Sequence, residues 1–214
     1  MEHDRKQIQD KTITKNQGLK MSAKLLFIDT ETTGVNTQKC GVFQISGIVE
    51  YNEIYEEFDF RCSLFDGDVV EETAFATNKM SVEKIMEFED PTIVFKKFTE
   101  VLGKHVNRYD KQDKFITLGY WSDFDNQILR RWFEKNGDKF FGSWFYVPWV
   151  DVAQLATYVF KEDRDIFPNF KLATVLNAMY LSEENCDTMY HDAMYDVRKT
   201  REMYWKLDSI LKEK

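Results

Sequence analysis

Three cysteines, Cys40, Cys62 and Cys186, stand far apart in 214 residues, with no Cys-x-x-Cys pair and no Cys/His spacing. That pattern excludes a disulfide framework and a zinc site and reads as reduced packing thiols in a cytoplasmic protein. Also missing is any apolar run near the roughly 20 residues that a bilayer crossing needs, so no membrane partner is expected. Met1–Lys20 is polar and mixed in charge, without the apolar core of a signal peptide. It reads as a flexible leader or an expression remnant, in which His3 is incidental. No internal repeat or low-complexity segment is present. Nor is there an excess of positive charge: 29 Lys and Arg face 37 Asp and Glu, for a formal net charge of -8. Attraction to nucleic acid by bulk electrostatics is therefore excluded. Nuclease chemistry is not, because acidic metal ligands add to the negative count and bound cations offset them.

What is present is a composition that folds. With 43% hydrophobic and 15% aromatic residues, the chain can fill a sizeable core. Its length suits one domain, residues 21–214, behind a leader at 1–20. Leu25-Leu26-Phe27-Ile28 runs into Asp29 and ends at a Gly34 turn, which predicts a buried strand. Val42–Val49 and Ile54–Phe60 predict two further strands, the last exposed because it mixes aromatic and acidic residues, with a turn around Asn52. Short connections make these three an antiparallel meander. A helix is expected from Ser81, its N-cap, to Met86, and a longer one from Asp90-Pro91 with Val94, Phe95, Phe98, Val101 and Leu102 as its core stripe. Phe115–Tyr120 is the expected fourth strand and Trp144–Val150 the fifth, each followed by a helix. Lys161–Pro168 reads as a charged loop, and helices are expected over Phe170–Met179 and Ala193–Leu211. Strands first and alternation later imply one α/β domain, a mixed five-stranded sheet flanked by helices.

Three acidic constellations carry the chemistry. Asp29 and Glu31 are two apart on a strand and share a face, so they repel and lose solvation if buried. A divalent cation with oxygen ligands, magnesium or manganese, relieves both costs; a strand ending in a solvated polar turn is the alternative. In the second, Asp125 falls near a helix start, where the macrodipole alone would favour it, and Asp123 is the expected N-cap of that helix. In the third, Asp192 and Asp196 are i, i+4 on one helix face, and spacing does not say which of them binds metal. His191, about 140° from Asp196 on a continuous helix, is expected on the loop or cap that leads into it.

Together these segments resemble the DnaQ-like, or DEDDh, 3′–5′ exonucleases of the ribonuclease H-like fold. Phe27–Gly34 looks like the family's first motif; Phe124-Asp125 with Ile128-Leu129 is similar to its second. His191-Asp192-Ala193 with Asp196-Val197 resembles its third, in the histidine version with four residues between His and Asp. Gln44–Gly47, Asp151 and Lys171–Ala173 also look like its intervening pattern. The likeness runs from Lys24 to about Trp205. It departs at Tyr120-Trp121, where many members carry His-Asn. The resemblance implies that Asp29, Glu31, Asp125 and Asp196 hold two Mg2+ or Mn2+ ions, that His191 is the general base, and that Thr30, Thr32 and Thr33 help seat the terminal nucleotide. It implies a single-stranded DNA or RNA 3′ end as substrate and a nucleoside 5′-monophosphate as product. A proofreading subunit bound to a polymerase is the alternative; no docking tail is expected after the last helix, and a stand-alone enzyme is the expectation. A catalytically silent binding module would lack a carboxylate or the histidine, and none is missing.

Overall fold

A computed structural model describes residues 23–72, 80–182 and 192–213, so the leader at 1–20, Cys186 and His191 lie outside the described residues. Strands β1 (Leu25–Thr32), β2 (Val42–Tyr51) and β3 (Ile54–Arg61) form the expected antiparallel meander. Tyr51 pairs with Ile54, and Asn52, at φ 50°, takes the left-handed turn conformation that asparagine tolerates. Strands β4 (Ile116–Gly119) and β5 (Val150–Asp151) add in parallel beyond β1, giving the order β3-β2-β1-β4-β5.

β1 is central and covered on both faces, which is why its apolar run is continuous instead of alternating. Leu26 and Ile28 pack with helices α2 (Pro91–His105) and α3 (Ser122–Lys135). Leu25 and Phe27 pack on the other face with α4 (Val152–Val159), α5 (Leu172–Ala178) and α6 (Ala193–Glu213). The short α1 (Val82–Met86) is capped by Ser81, and Asp90 accepts from the Thr92 N–H to start α2 with Pro91 in its first turn. The expected stripe of α2 is buried, and Phe95 meets Phe133 edge-to-face at 4.9 Å. Cys40 and Cys62 are buried free thiols. Edge strand β3 is charged, with Glu56 and Glu57 paired to Lys104 and Arg198, which discourages strand addition. Among the described residues no helix is long and apolar enough to cross a membrane.

The fifth strand is shorter than expected. Only Val150 and Asp151 pair, with Leu118 and Gly119, and the residues before them touch the sheet through one bridge, Phe115 to Phe145. Pro148 has no N–H to offer a ladder, and Trp144, Phe145 and Trp149 are buried in the aromatic core. Their apolar character fills the interior and does not build a strand. The charged stretch after α4 contains a 3-10 turn, Lys161–Ile166.

Gly47 of β2 pairs with Ile28 and Phe58 and lets the Phe58 ring lie across it. A Cβ there would enter that ring and sit 2.9 Å from the Phe27 carbonyl oxygen. Gly47→Ala should therefore destabilise the fold by about 1–3 kcal/mol. A Tm drop on the order of 2–4 °C per kcal/mol by differential scanning calorimetry is expected, and an unchanged Tm would contradict this packing.

Candidate active site

The two-residue period of β1 carries Asp29 and Glu31 onto the face where Leu25 and Phe27 meet α4–α6. There they approach Asp196, in the first turn of α6. One carboxylate oxygen from each of Asp29, Glu31 and Asp196 lies within 4.8 Å of the other two. Thr30, on the alternate face, turns towards α3: its N–H and hydroxyl donate to Asp125 Oδ1 at 3.0 and 2.7 Å. Asp125 is buried in the first turn of α3. Three elements, the central strand and a helix from each flanking layer, thus bring four acids to one end of β1, beside a register shift between Glu31 and Thr32.

The electrostatic consequence is large. Burial raises Asp29 well above the usual carboxylate range, with Asp125, Asp196, Glu31 and Asp192 adding to it. Glu31 is pushed up to about 8 by burial and then by Asp196, Asp192 and Asp125. Burial lifts Asp125 to about 7 against the lowering effect of the Thr30 bonds. Such a set is stable as anions only beside positive charge. The donors are oxygen only and converge, so they fit a hard divalent cation, with Asp29, Glu31, Asp125 and Asp196 as the residues that would hold it.

Asp192, which shares the i, i+4 spacing, is placed differently. It precedes α6, where Oδ1 accepts from the Tyr195 N–H at 3.3 Å in the manner of a cap, and Oδ2 accepts from Arg61 at 3.2 Å. The geometry brings Asp196, and not Asp192, into the cluster with Asp29 and Glu31. Arg61 was not foreseen. Its signal lies in strand register alone: Glu31 pairs with Gln44 and Gln44 with Arg61, while Asp29, Ser46 and Asp59 form the parallel row. Gln44 and Ser46 both donate to Asp59 Oδ1, at 2.9 and 2.7 Å, so these rows form one polar network.

The three threonine hydroxyls are engaged within the chain. Beyond the Thr30 bond, Thr32 donates to the Gly34 carbonyl at 2.8 Å and Thr33 to the Val69 carbonyl at 2.6 Å.

Entry into α3 also differs from expectation. Asp123 is not the N-cap: helical residues begin at Ser122, so its carboxylate is past the capping position and accepts from Gln127 Nε2 at 2.7 Å. Gln127 in turn accepts from Thr37 at 3.0 Å, joining the loop after β1 to α3. The cap position belongs to Trp121, which has left-handed backbone angles (φ 58°, ψ 43°) and makes no side-chain cap. That conformation costs a bulky residue on the order of 1–3 kcal/mol. It is held by the Trp121 N–H, which donates to Asp151 Oδ1 at 3.3 Å, the same oxygen that caps α4. Gly119 allows the turn, since a Cβ there would lie 3.2 Å from the Ile28 carbonyl oxygen. Tyr120 points inward, its hydroxyl donating to the Phe170 carbonyl at 2.6 Å. A cavity of about 520 Å³ lined by Arg108, Tyr109, Asn136 and Phe140 lies beyond the C-terminal ends of α2 and α3 and includes none of the four acids.

No protein-family model and no curated protein matches the chain. Solved structures do. The chain is similar to E. coli exonuclease I in complex with a dT13 oligonucleotide, with TM-score 0.66 and 20% identity over 86% of this chain and 40% of that one. It is similar to the zinc-bound E. coli exonuclease I complex with single-stranded DNA, with TM-score 0.67 and 21% identity over 85% and 39%. The dA16 complex of the same enzyme gives TM-score 0.66 and 21% identity over 85% and 40%. The shared feature is the ribonuclease H-like fold, and the chain spans about 40% of the length of that protein.

The raised carboxylates set a pH signature for the metal-free protein. Unfolded, these groups titrate near 4; folded, Glu31 and Asp125 titrate at about 8 and 7. The folded state binds protons more tightly, so this contribution is full below about pH 4 and is lost as pH rises through 7 to 8. Glu56 and Glu57, held below the usual range by bonds to Lys104 and Arg198, are ionised throughout the upper part of that window. With chelator present, Tm should fall between pH 5.5 and pH 8, about where both acids release their protons. Magnesium at 100-fold over its Kd should restore about 2.7 kcal/mol, a rise on the order of 5–10 °C at pH 8. Asp29→Asn should raise the chelated Tm at pH 8 and blunt the magnesium response; a Tm flat in pH and magnesium would refute the assignment.

Proposed function

We propose that the chain is a DnaQ-like, DEDDh-type 3′–5′ exonuclease that removes nucleoside 5′-monophosphates from the 3′ end of single-stranded DNA. The observation that carries this reading is the gathering of Asp29, Glu31, Asp125 and Asp196 at one strand end. It stands on a fold shared with exonuclease I, whose solved complexes contain DNA oligonucleotides. DNA is preferred to RNA on the ground of those oligonucleotides.

In this reading the four carboxylates hold two divalent cations, Mg2+ or Mn2+. When bound, such a pair supplies Lewis-acid stabilisation of the attacking and leaving oxygens in an in-line displacement. The chain's own groups do the rest. Asp29 and Glu31, on a strand buried from both sides, present rigid oxygens. Thr30 fixes the Asp125 carboxylate through two bonds. His191 takes the proton of the attacking water, a task suited to a side chain that titrates near neutrality. The water oxygen bonds to phosphorus and the 3′ oxygen of the preceding nucleotide leaves. The segment Thr30–Thr33, at the end of β1 beside the carboxylates, seats the terminal nucleotide. Asp192, tied to Arg61, holds the entrance to α6 and is not a ligand.

Digestion of 3′-labelled and 5′-labelled single-stranded DNA and RNA with magnesium or manganese tests the proposal. Mononucleotides released from the 3′ end and suppressed by chelator are expected; internal cuts or intact strands would defeat it. Asp196→Ala should abolish hydrolysis with the fold retained, whereas Asp192→Ala should cost on the order of 10-fold. His191→Ala should lower kcat by about 10²–10⁴-fold while magnesium still raises Tm.

A further inference from the structure

Hydrolysis as proposed leaves Trp121 without a role, and three observations set this residue apart. Its left-handed backbone is one that Asn or Gly adopts readily and that a bulky side chain resists. Its side chain is 57% exposed, whereas Trp132, Trp144 and Trp149 are buried and Trp205 donates its indole N–H to Glu50 at 3.1 Å. And its position is pinned: it is joined directly to the turn of α3 that carries Asp125, and its N–H is held by Asp151, whose charge acts on Asp125. Neighbouring Tyr120 shows what the same turn does with an aromatic ring that serves the core, burying it and bonding its hydroxyl. The left-handed turn therefore sorts two adjacent rings, Tyr120 buried and Trp121 exposed next to the turn that carries Asp125.

The surroundings indicate what the exposed ring meets. Asp123 and Asp151, which are outside the proposed metal-holding set, lie in the turn of α3 and the cap of α4 next to Trp121, so its immediate surroundings are negative. The indole face is negative too, and both disfavour a phosphate. A flat neutral ring suits the place, and every nucleobase offers one. We propose that Trp121 is a stacking platform for a nucleobase at the 3′ end of the bound strand, a positioning residue that makes the site tolerant of base identity but dependent on a base being there. This rests on the exonuclease reading above.

The test compares wild type, Trp121→Asn and Trp121→Phe on single-stranded DNA ending in a normal nucleotide or in an abasic tetrahydrofuran. Binding is read by fluorescence anisotropy with calcium in place of magnesium, and hydrolysis by KM and kcat with magnesium. Trp121→Asn should weaken binding and raise KM for the base-bearing end on the order of 10-fold, with a smaller effect on kcat and little effect on the abasic end. Trp121→Phe should recover most of the loss. Trp121→Asn should match or exceed the wild-type Tm, because Asn accepts the left-handed backbone; a purely structural Trp121 would lower it. Equal KM and affinity of wild type and Trp121→Asn for the base-bearing end would overturn the platform, as would an equal defect on both ends. Base-dependent binding without any wild-type hydrolysis would defeat the exonuclease reading and leave the platform standing. Hydrolysis that is indifferent to Trp121→Asn would do the reverse.

Discussion

Four carboxylates are crowded at one end of β1, in an environment that penalises Asp29, Glu31 and Asp125 as anions. Burial is the main cause for Asp29, Glu31 and Asp125, and neighbouring carboxylates add to it. The structure manages the repulsion only in part. Thr30 supplies two donors to Asp125, and Arg61 neutralises Asp192 just outside the cluster. What remains is a concentration of negative charge that a bound cation would relieve.

Holding such a cluster together requires a scaffold that does not yield. β1 is packed on both faces, so it cannot rotate its acids away from one another without opening two cores. Helices α3 and α6 lie in opposite layers, and the cluster forms because the strand end is reachable from both. The register shift at Glu31 and Thr32 ends regular pairing where the chain turns off to the loop before β2, a common device beside functional sites. The polar rows through Gln44, Ser46, Asp59 and Arg61 extend the same site across the sheet, so β2 and β3 contribute to its electrostatics as well as to its walls.

Trp121 illustrates a second tension. A bulky residue on a left-handed backbone lowers stability, and an exposed ring recovers little of that by burial, so Asn or Gly would relieve the cost. Features of this kind are retained where a function depends on them, which is the usual relation between stability and activity at a site.

Much of this was legible in the residues themselves. The apolar run into Asp29 and Glu31, the caps at Ser81 and Asp90, the stripe of α2 and the placement of Asp125 near a helix start follow from local periodicity, a property of neighbours along the chain. The resemblance carried by the three acidic segments anticipated the ribonuclease H-like sheet for the same reason: order and spacing survive in one dimension. Other features did not follow from the sequence. Whether Asp192 or Asp196 joins the cluster depends on where α6 begins and which turn faces β1. Arg61 enters the site through register across two strand pairs, and the fifth strand shrinks because its aromatic residues find a better place in the core. Tyr120 and Trp121 are equivalent by composition, yet one is buried and the other exposed, because a left-handed turn pinned by Asp151 separates them. These outcomes required tertiary structure because each is set by contacts between residues distant in the chain.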